Sequence, residues 1–544
     1  MTHSSDDRDH PSPAPDFDAL IIGAGLSGLY QLYRVRELGL SARVIEAGSD
    51  VGGTWYWNRY PGARFDSESY TYGYSFSPEL LQEWNWSEHF APQPETLRYV
   101  GYVADKFDLR RDILFKRRVV SAHWQEASRA WRVVLDTGEV MTARFLITAI
   151  GALSVPTLPR IEGLDSFQGI SCHTAHWPHE PVSFEGKRVA VIGTGATGVQ
   201  TIQEVAKTAG HLTVFQRTPN WCAPLHNGPI TEDQQNALKA GYPDIFQRCR
   251  DSISGFIHNP DPRRTQDVSA QEREAFWEQR YGEPGFGIWV GNFRDVLVDR
   301  EANALMSDFV ARKIRQRVKN PAVAEKLIPR NHGFGTRRLP LETRYYEVYN
   351  QPNVELVDLL DTPIERITPH GIRTTAREFE FDMIIYATGF DALTGAYDRI
   401  DIRGTGELRL KDQWTPGAQT FFGIQNAGFP NLLMVMGPMG ALGNIPRSIE
   451  YNVEWVAGLL RHMQANGLTR VEARPDSVRA WMDVCRQAAV GLLSNDVNSW
   501  MTGVNSNVQG KTTRVLARYS GTGPDYRARC DAVAAGGYRE LELG

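Results

Sequence analysis

DALIIGAGLSGL, residues 18–29, runs from an apolar stretch straight into Gly23, Gly25 and Gly28 and then into a helical pattern. KRVAVIGTGATGVQ, residues 187–200, repeats the arrangement with Gly193, Gly195 and Gly198, 170 residues after the first. Each set of glycines gives a tight turn, room for a pyrophosphate and close packing of helix on strand. Backbone N–H groups at the helix start then face the phosphates. A second strand comes after each turn, ARVIEAG (42–48) for the first and HLTVFQRTPNW (211–221) for the second. The chain is therefore expected to be α/β, with two Rossmann-like dinucleotide-binding domains.

The two turns differ in their downstream residues. Glu46 stands 18 residues past Gly28, where a carboxylate accepts hydrogen bonds from ribose hydroxyls. The same count from Gly198 reaches Gln216, with Arg217 next. An acid repels a 2′-phosphate, whereas a guanidinium pairs with it bidentately. FAD at the first turn and NADPH at the second is the economical assignment. A third apolar run, FEFDMIIYATGFD (379–391), ends in Ala387-Thr388-Gly389, and FLITAIGALSVP (145–156) ends in Ala149-Ile150-Gly151. The third run is expected to close the first domain. Such strand-to-glycine exits resemble the domain crossings of flavoproteins that bind two dinucleotides. That likeness implies a split FAD domain (16–152 and 390–544) with an inserted NADP domain (153–224 and 334–389). Residues 225–333 read as a charge-rich helical insertion.

At 544 residues the chain is too long for one hydrophobic core. A net charge of −5, without a basic stripe, argues against nucleic acid as a partner. Five cysteines are scattered without a CxxC, which removes disulfide reductases and zinc sites from consideration. Residues 1–15 are polar and proline-rich and are expected to form a disordered tail. No run reaches the roughly eighteen apolar residues of a membrane span, so the expected location is cytoplasmic. Several tryptophans cluster between Trp55 and Trp86, as an aromatic pocket or an aromatic core would require.

FQGISCHTAHWP (167–178) precedes the second turn and invites a metal reading through Cys172, His173 and His176. No acidic or further cysteine partners stand at ligand spacing, so no metal is expected. The segment does match FxGxxxHxxxWP, the fingerprint of type I Baeyer–Villiger monooxygenases, through Phe167, Gly169, His173, Trp177 and Pro178. The chain resembles that family over nearly its whole length. GGTWYWNRYPGARFDSESYTY (52–72), FGTRRLPLETRYYEVYN (334–350), YATGFDALTG (386–395) and FPNLLMVMGP (429–438) look closest to the phenylacetone, steroid and large-ring ketone branch.

That resemblance implies oxidation of ketones to esters or lactones by NADPH and O2 through a C4a-peroxyflavin, with sulfoxidation as a side activity. It implies a catalytic pair in Arg338 and Asp66, the arginine stabilising the peroxide and the carboxylate holding the arginine. For FAD it implies Gly23, Gly25, Gly28, Glu46, Thr54, Trp55, Tyr60, Asp66, Tyr72 and Val119. For NADPH it implies Thr194, Gly195, Ala196, Thr197, Gly198, Gln200, Arg217, Thr218, Arg337 and Trp500, the last heading a mobile loop at 498–512. His173 and Trp177 are implied to be structural.

Three departures stand out. Relatives usually carry Lys where this chain has Arg337. The loop SWMTGVNSNVQGK is about two residues longer than the common form and lacks its proline. GPMGALGNIPRSIE lacks a two-residue bulge, so Met439, Ala441, Leu442 and Ile445 are expected to shape the pocket differently, tilting it towards bulky or cyclic ketones. An N-hydroxylating monooxygenase and an uncoupled NADPH oxidase or redox sensor stay open as alternatives, and the oligomeric state is not legible.

Overall fold

The computed structural model describes residues 14–544. The expected N-terminal tail lies, except for its last two residues, outside them. Phe17–Ile22 forms the centre of an eight-stranded sheet, flanked in parallel by Ala42–Ile45 and Val140–Thr148. Ala19, Leu20 and Ile21 are fully buried, as a central parallel strand covered on both faces requires. Val119–Gln125 and Ala130–Leu135 extend this sheet in antiparallel fashion. Asp401–Arg403 and Leu432–Met434 return from late in the chain and join it as parallel strands.

A second, five-stranded sheet is parallel throughout, in the order Val354–Asp358, His211–Gln216, Arg188–Ile192, Met383–Tyr386, Ile170–His173. Here the expectation that 379–391 closes the first domain is corrected, because Met383–Tyr386 belongs to the second sheet. The apolar run is buried on both faces in either sheet, so its pattern cannot choose between them. Its exit carries the distinction. The Ala387 N–H donates to the Ile192 carbonyl at 2.9 Å, just as the Ala149 N–H donates to the Ile22 carbonyl at 2.9 Å. Each exit thus lies against its own glycine turn.

Between the sheets' contributions lie the helices Glu232–Asp251, Ala270–Gly282, Arg300–Arg317 and Pro321–Leu327. Their starts are written locally. Thr231 with Gln234 and Ser269 with Glu272 form reciprocal capping boxes, and Asp299 and Asn320 cap the next two helices. Arg317 anchors this unit. It pairs with Glu342, whose side chain is fully buried, and with Glu347, at 2.7 Å each. The guanidinium therefore ties the insertion to the stretch just beyond Arg338. No described helix is long and apolar enough to cross a membrane.

The third glycine of each turn is fixed by sterics. A Cβ on Gly28 would sit 1.8 Å from the Gly23 carbonyl oxygen, and one on Gly198 would sit 2.2 Å from that of Gly193. Neither backbone can retreat without breaking the strand–helix junction. Gly198→Ala is therefore expected to lower stability by about 1–3 kcal/mol and to lower the thermal midpoint. An unchanged midpoint would mean that the second turn is looser than its geometry.

Candidate active site

The helices Leu26–Glu37 and Ala196–Val205 begin at Gly25 and Gly195, and neither N-terminus is capped by a side chain. Their first N–H groups are free to meet an anion, with the helix dipole behind them. Gly23 and Gly193 take φ of +103° and +109°, the same left-handed turn at both places.

The first turn opens on a cavity of about 230 Å³. Of the residues expected at FAD, Gly23, Gly25, Glu46, Thr54, Trp55, Tyr72 and Val119 line it. Glu46 accepts from the Ala24 N–H at 2.7 Å and the Gly48 N–H at 2.6 Å. Burial still raises its carboxyl above the ordinary range, against the pull of those two donors. The Trp55 indole N–H donates to the Tyr72 hydroxyl at 3.2 Å, fixing both rings at the cavity wall. Gly28 packs against the turn itself and does not face the cavity. Arg117, Arg118, Trp57 and His176 also line it, and sequence reasoning missed them. Two basic residues directly before Val119 were the available signal. The donors, the buried carboxylate and the aromatic wall fit a dinucleotide bearing a flat ring system.

At the second turn, Thr194 donates through Oγ1 to the Thr218 carbonyl at 3.0 Å, and Thr197 lies 3.3 Å from the Thr174 hydroxyl. Ala196 begins the helix and Gly198 packs into the turn. Gln200 spans the two halves of the protein, accepting from Tyr60 at 2.7 Å and donating to the Arg64 carbonyl at 3.0 Å. Gln216 points away from the turn, donating to the Lys326 carbonyl at 2.7 Å. Arg217 alone continues the site. Burial and the Arg217 guanidinium push Arg337 below the usual arginine range. The Arg337 Nε is buried without a partner among the described residues. Two adjacent guanidiniums, with no carboxylate between them, suit a phosphate.

The loop beyond Trp500 is latched down. Arg217 donates to Ser506 Oγ at 2.8 Å, Asn505 to the Phe390 carbonyl at 2.8 Å and Asn507 to the Thr388 carbonyl at 3.1 Å. Trp500 itself lines a separate cavity of about 320 Å³ with Trp414 and Lys511. That cavity shares only Phe390 with the first.

Arg338 and Asp66 meet although 272 positions separate them. Arg338 Nη1 donates to Asp66 Oδ2 and, at 2.8 Å, to the Leu339 carbonyl. Asp66 is 3% exposed and its Oδ1 has no partner among the described residues, while about a third of the arginine side chain stays accessible. The Phe286 ring lies 5.3 Å beneath the guanidinium. The pair stands behind the cavity wall, because Phe65, next to Asp66, stacks on Tyr72 at 4.1 Å. Met439 is a further correction: it is fully buried in the core, and only Ala441, Leu442 and Ile445 keep surface. Among the described residues no group of three His, Cys, Asp or Glu could hold a metal ion.

Two uncapped dinucleotide turns, each following a parallel strand of its own sheet, together with a guanidinium held by a buried carboxylate, define a flavin- and NADP-dependent oxidoreductase. Comparison with known proteins narrows this. The flavin-binding monooxygenase-like family model matches residues 18–227. The chain is 46% identical to 2-oxo-Δ3-4,5,5-trimethylcyclopentenylacetyl-CoA monooxygenase of Pseudomonas putida, over 97% of this chain and 99% of that one. It is 42% identical to a Baeyer–Villiger monooxygenase of Pseudooceanicola batsensis, over 97% and 96%. Among solved structures, OTEMO in complex with FAD and NADP superposes with a TM-score of 0.94 at 47% identity, over 98% and 100%. The chain belongs to the Baeyer–Villiger monooxygenase family. It is an FAD-dependent enzyme using NADPH and O2 to convert ketones to esters or lactones.

His173, in the fingerprint segment, accepts from the Ala175 N–H at 3.0 Å through Nδ1, and burial lowers its pKa from 6.5 to about 4. Between those values the unfolded chain takes up a proton that the folded chain refuses. Stability is unaffected at neutral pH and falls as pH drops through that window, by about 2–3 kcal/mol. His173→Gln should flatten this part of the pH profile in urea unfolding between pH 7 and pH 4.5. Identical slopes for variant and parent would contradict it.

Proposed function

We propose that Arg338 is the catalytic cation of this enzyme, Asp66 its positioning residue, and bulky or cyclic ketones its substrates. The net reaction consumes ketone, O2, NADPH and a proton, and yields ester or lactone, NADP+ and water. Bound FAD supplies the electron relay and the oxygen-transfer chemistry. In this reading Glu46, Trp55 and Tyr72 hold the flavin dinucleotide beside Gly23 and Gly25, with Thr54 and Val119 at its edges and Tyr60 behind. The turn from Thr194 to Gly198, with Gln200 and Thr218, holds NADPH, and Arg217 and Arg337 take its 2′-phosphate. Trp500 closes over the nicotinamide side.

One observation carries the assignment. Arg338 spends a single nitrogen, Nη1, on Asp66 and Leu339, so Nε and Nη2 keep their donors free among the described residues. A guanidinium held at one corner by a buried carboxylate presents a fixed, charged donor edge. Such an edge stabilises negative charge developing on oxygen without reorganising during reaction. Phe286, Trp289 and Phe256 pack in series beside it and restrict water, which strengthens the interaction. The ring named in the Pseudomonas putida relative, together with the surface kept by Ala441, Leu442 and Ile445, supports a bulky cyclic ketone.

Removing a preorganised donor to a developing oxyanion costs on the order of 10²–10³ in rate. Arg338→Ala should therefore lose ester formation by that factor while NADPH still reduces the bound flavin. Arg338→Lys should recover part of the loss. Ester formation at the parental rate in Arg338→Ala would remove Arg338 from the chemistry.

A further inference from the structure

Glu68 stands two positions beyond Asp66 and is 4% exposed. Its Oε1 meets His258 Nε2 at 2.8 Å, and its Oε2 has no partner among the described residues. A carboxylate only accepts, so Nε2 is the imidazole nitrogen that donates. His258 is thus the one donor to this buried carboxylate among the described residues. The backbone on either side is anchored by other contacts. The Glu68 carbonyl accepts from the Thr71 N–H at 2.9 Å and its hydroxyl at 2.8 Å. On the loop that carries His258, the Ser254 carbonyl accepts from the Asn444 N–H at 2.9 Å.

The two ends of this bridge touch the two residues that flank Phe286. A Cβ on Gly285 would come 2.7 Å from Glu68 Oε1, and one on Gly287 would come 3.5 Å from His258 Nδ1. Gly285 also takes a φ of +78°, which a side chain would strain. Phe286 is therefore seated over the bridge through its neighbours. Its ring lies under the Arg338 guanidinium and packs on Phe256, two positions before His258, at 5.2 Å. One short segment thereby reaches the guanidinium twice. Asp66 holds it directly, and Glu68 reaches the ring beneath it through His258.

We propose that Glu68 and His258 are positioning residues for Arg338: their bridge fixes Phe286 beneath the guanidinium and keeps the aromatic wall closed to water. A hydrogen bond to a buried charge is stronger than a neutral one, so it can hold a loop to one arrangement. The inference rests on the reading of Arg338 as the catalytic cation.

The test compares the FAD-loaded enzyme with two variants. Glu68→Gln removes the charge and keeps an acceptor for His258. Glu68→Gln combined with His258→Leu removes the bridge without leaving an unpaired buried charge. Hydrogen exchange is read at the amides of Trp289 and Val290, which both donate to the Phe286 carbonyl at 2.9 Å. In the double variant they should exchange about tenfold faster than in the parent, as the loss of one hydrogen bond to a charged group implies. Glu68→Gln alone should lie between the two. With NADPH, O2 and cyclohexanone, the ratio of lactone to hydrogen peroxide should fall in the same order, while NADPH reduces the flavin near the parental rate. A merely structural role would lower reduction and oxygenation alike.

Parental exchange in the double variant would overturn the proposal, and so would faster exchange with a parental product ratio. Should the double variant not fold, Glu68→Gln decides alone, and parental exchange and product ratio in it would overturn the proposal. Arg338→Ala separates this failure from that of the parent reading. If that variant forms lactone at the parental rate, Arg338 leaves the chemistry, whereas the exchange comparison still reports on the bridge.

Discussion

A carboxylate that is 3% exposed and uses one of its two oxygens holds a guanidinium from a distant part of the chain. Burying Asp66 alone would be costly, and only a close cation offsets the loss of hydration. The contact therefore constrains both segments that carry it. On one side, residues 52–72 must bring Phe65 onto Tyr72 and Tyr72 under Trp55. On the other, Leu341–Glu342 pairs with Ala223–Pro224, and Arg317 clamps Glu342. The helical insertion thereby acts as a brace for Arg338, and it also supplies Phe286, Phe256 and Trp289 to the wall beside the guanidinium.

The electrostatics divide the protein into two kinds of enclosed cation. Those at Arg317, Arg447 and Arg338 are matched by carboxylates and stabilise the fold. The one at Arg337 is desolvated without a carboxylate, and it is proposed to take the 2′-phosphate of the cofactor. The loop beyond Trp500 is latched on Phe390 and Thr388, and Arg217, beside Arg337, holds its Ser506.

Local signals are legible in the sequence, and long-range ones are not. The glycine turns depend on residues within a few positions of one another, and Glu46 stands at a set count of 18 residues from Gly28, so spacing identifies them. Which sheet Met383–Tyr386 joins depends on burial that looks alike in both. Gln216 stands at the expected count along the chain, yet its side chain points towards the insertion, and no pattern in 211–221 reports that. The pairing of Arg338 with Asp66 is reached only through the resemblance to a family. Met439 reads as a pocket residue by position, but a φ of +65° turns that loop and sends the side chain into the core.

The role of Asp66 is the claim on which these assignments converge, and it is measured most directly by coupling in Asp66→Asn. The asparagine keeps the shape and removes the charge that orients Arg338. With NADPH, O2 and a cyclic ketone, the account predicts reduction of the bound flavin near the parental rate, with product shifting from ester to hydrogen peroxide. A parental ratio of ester to peroxide in that variant would contradict it.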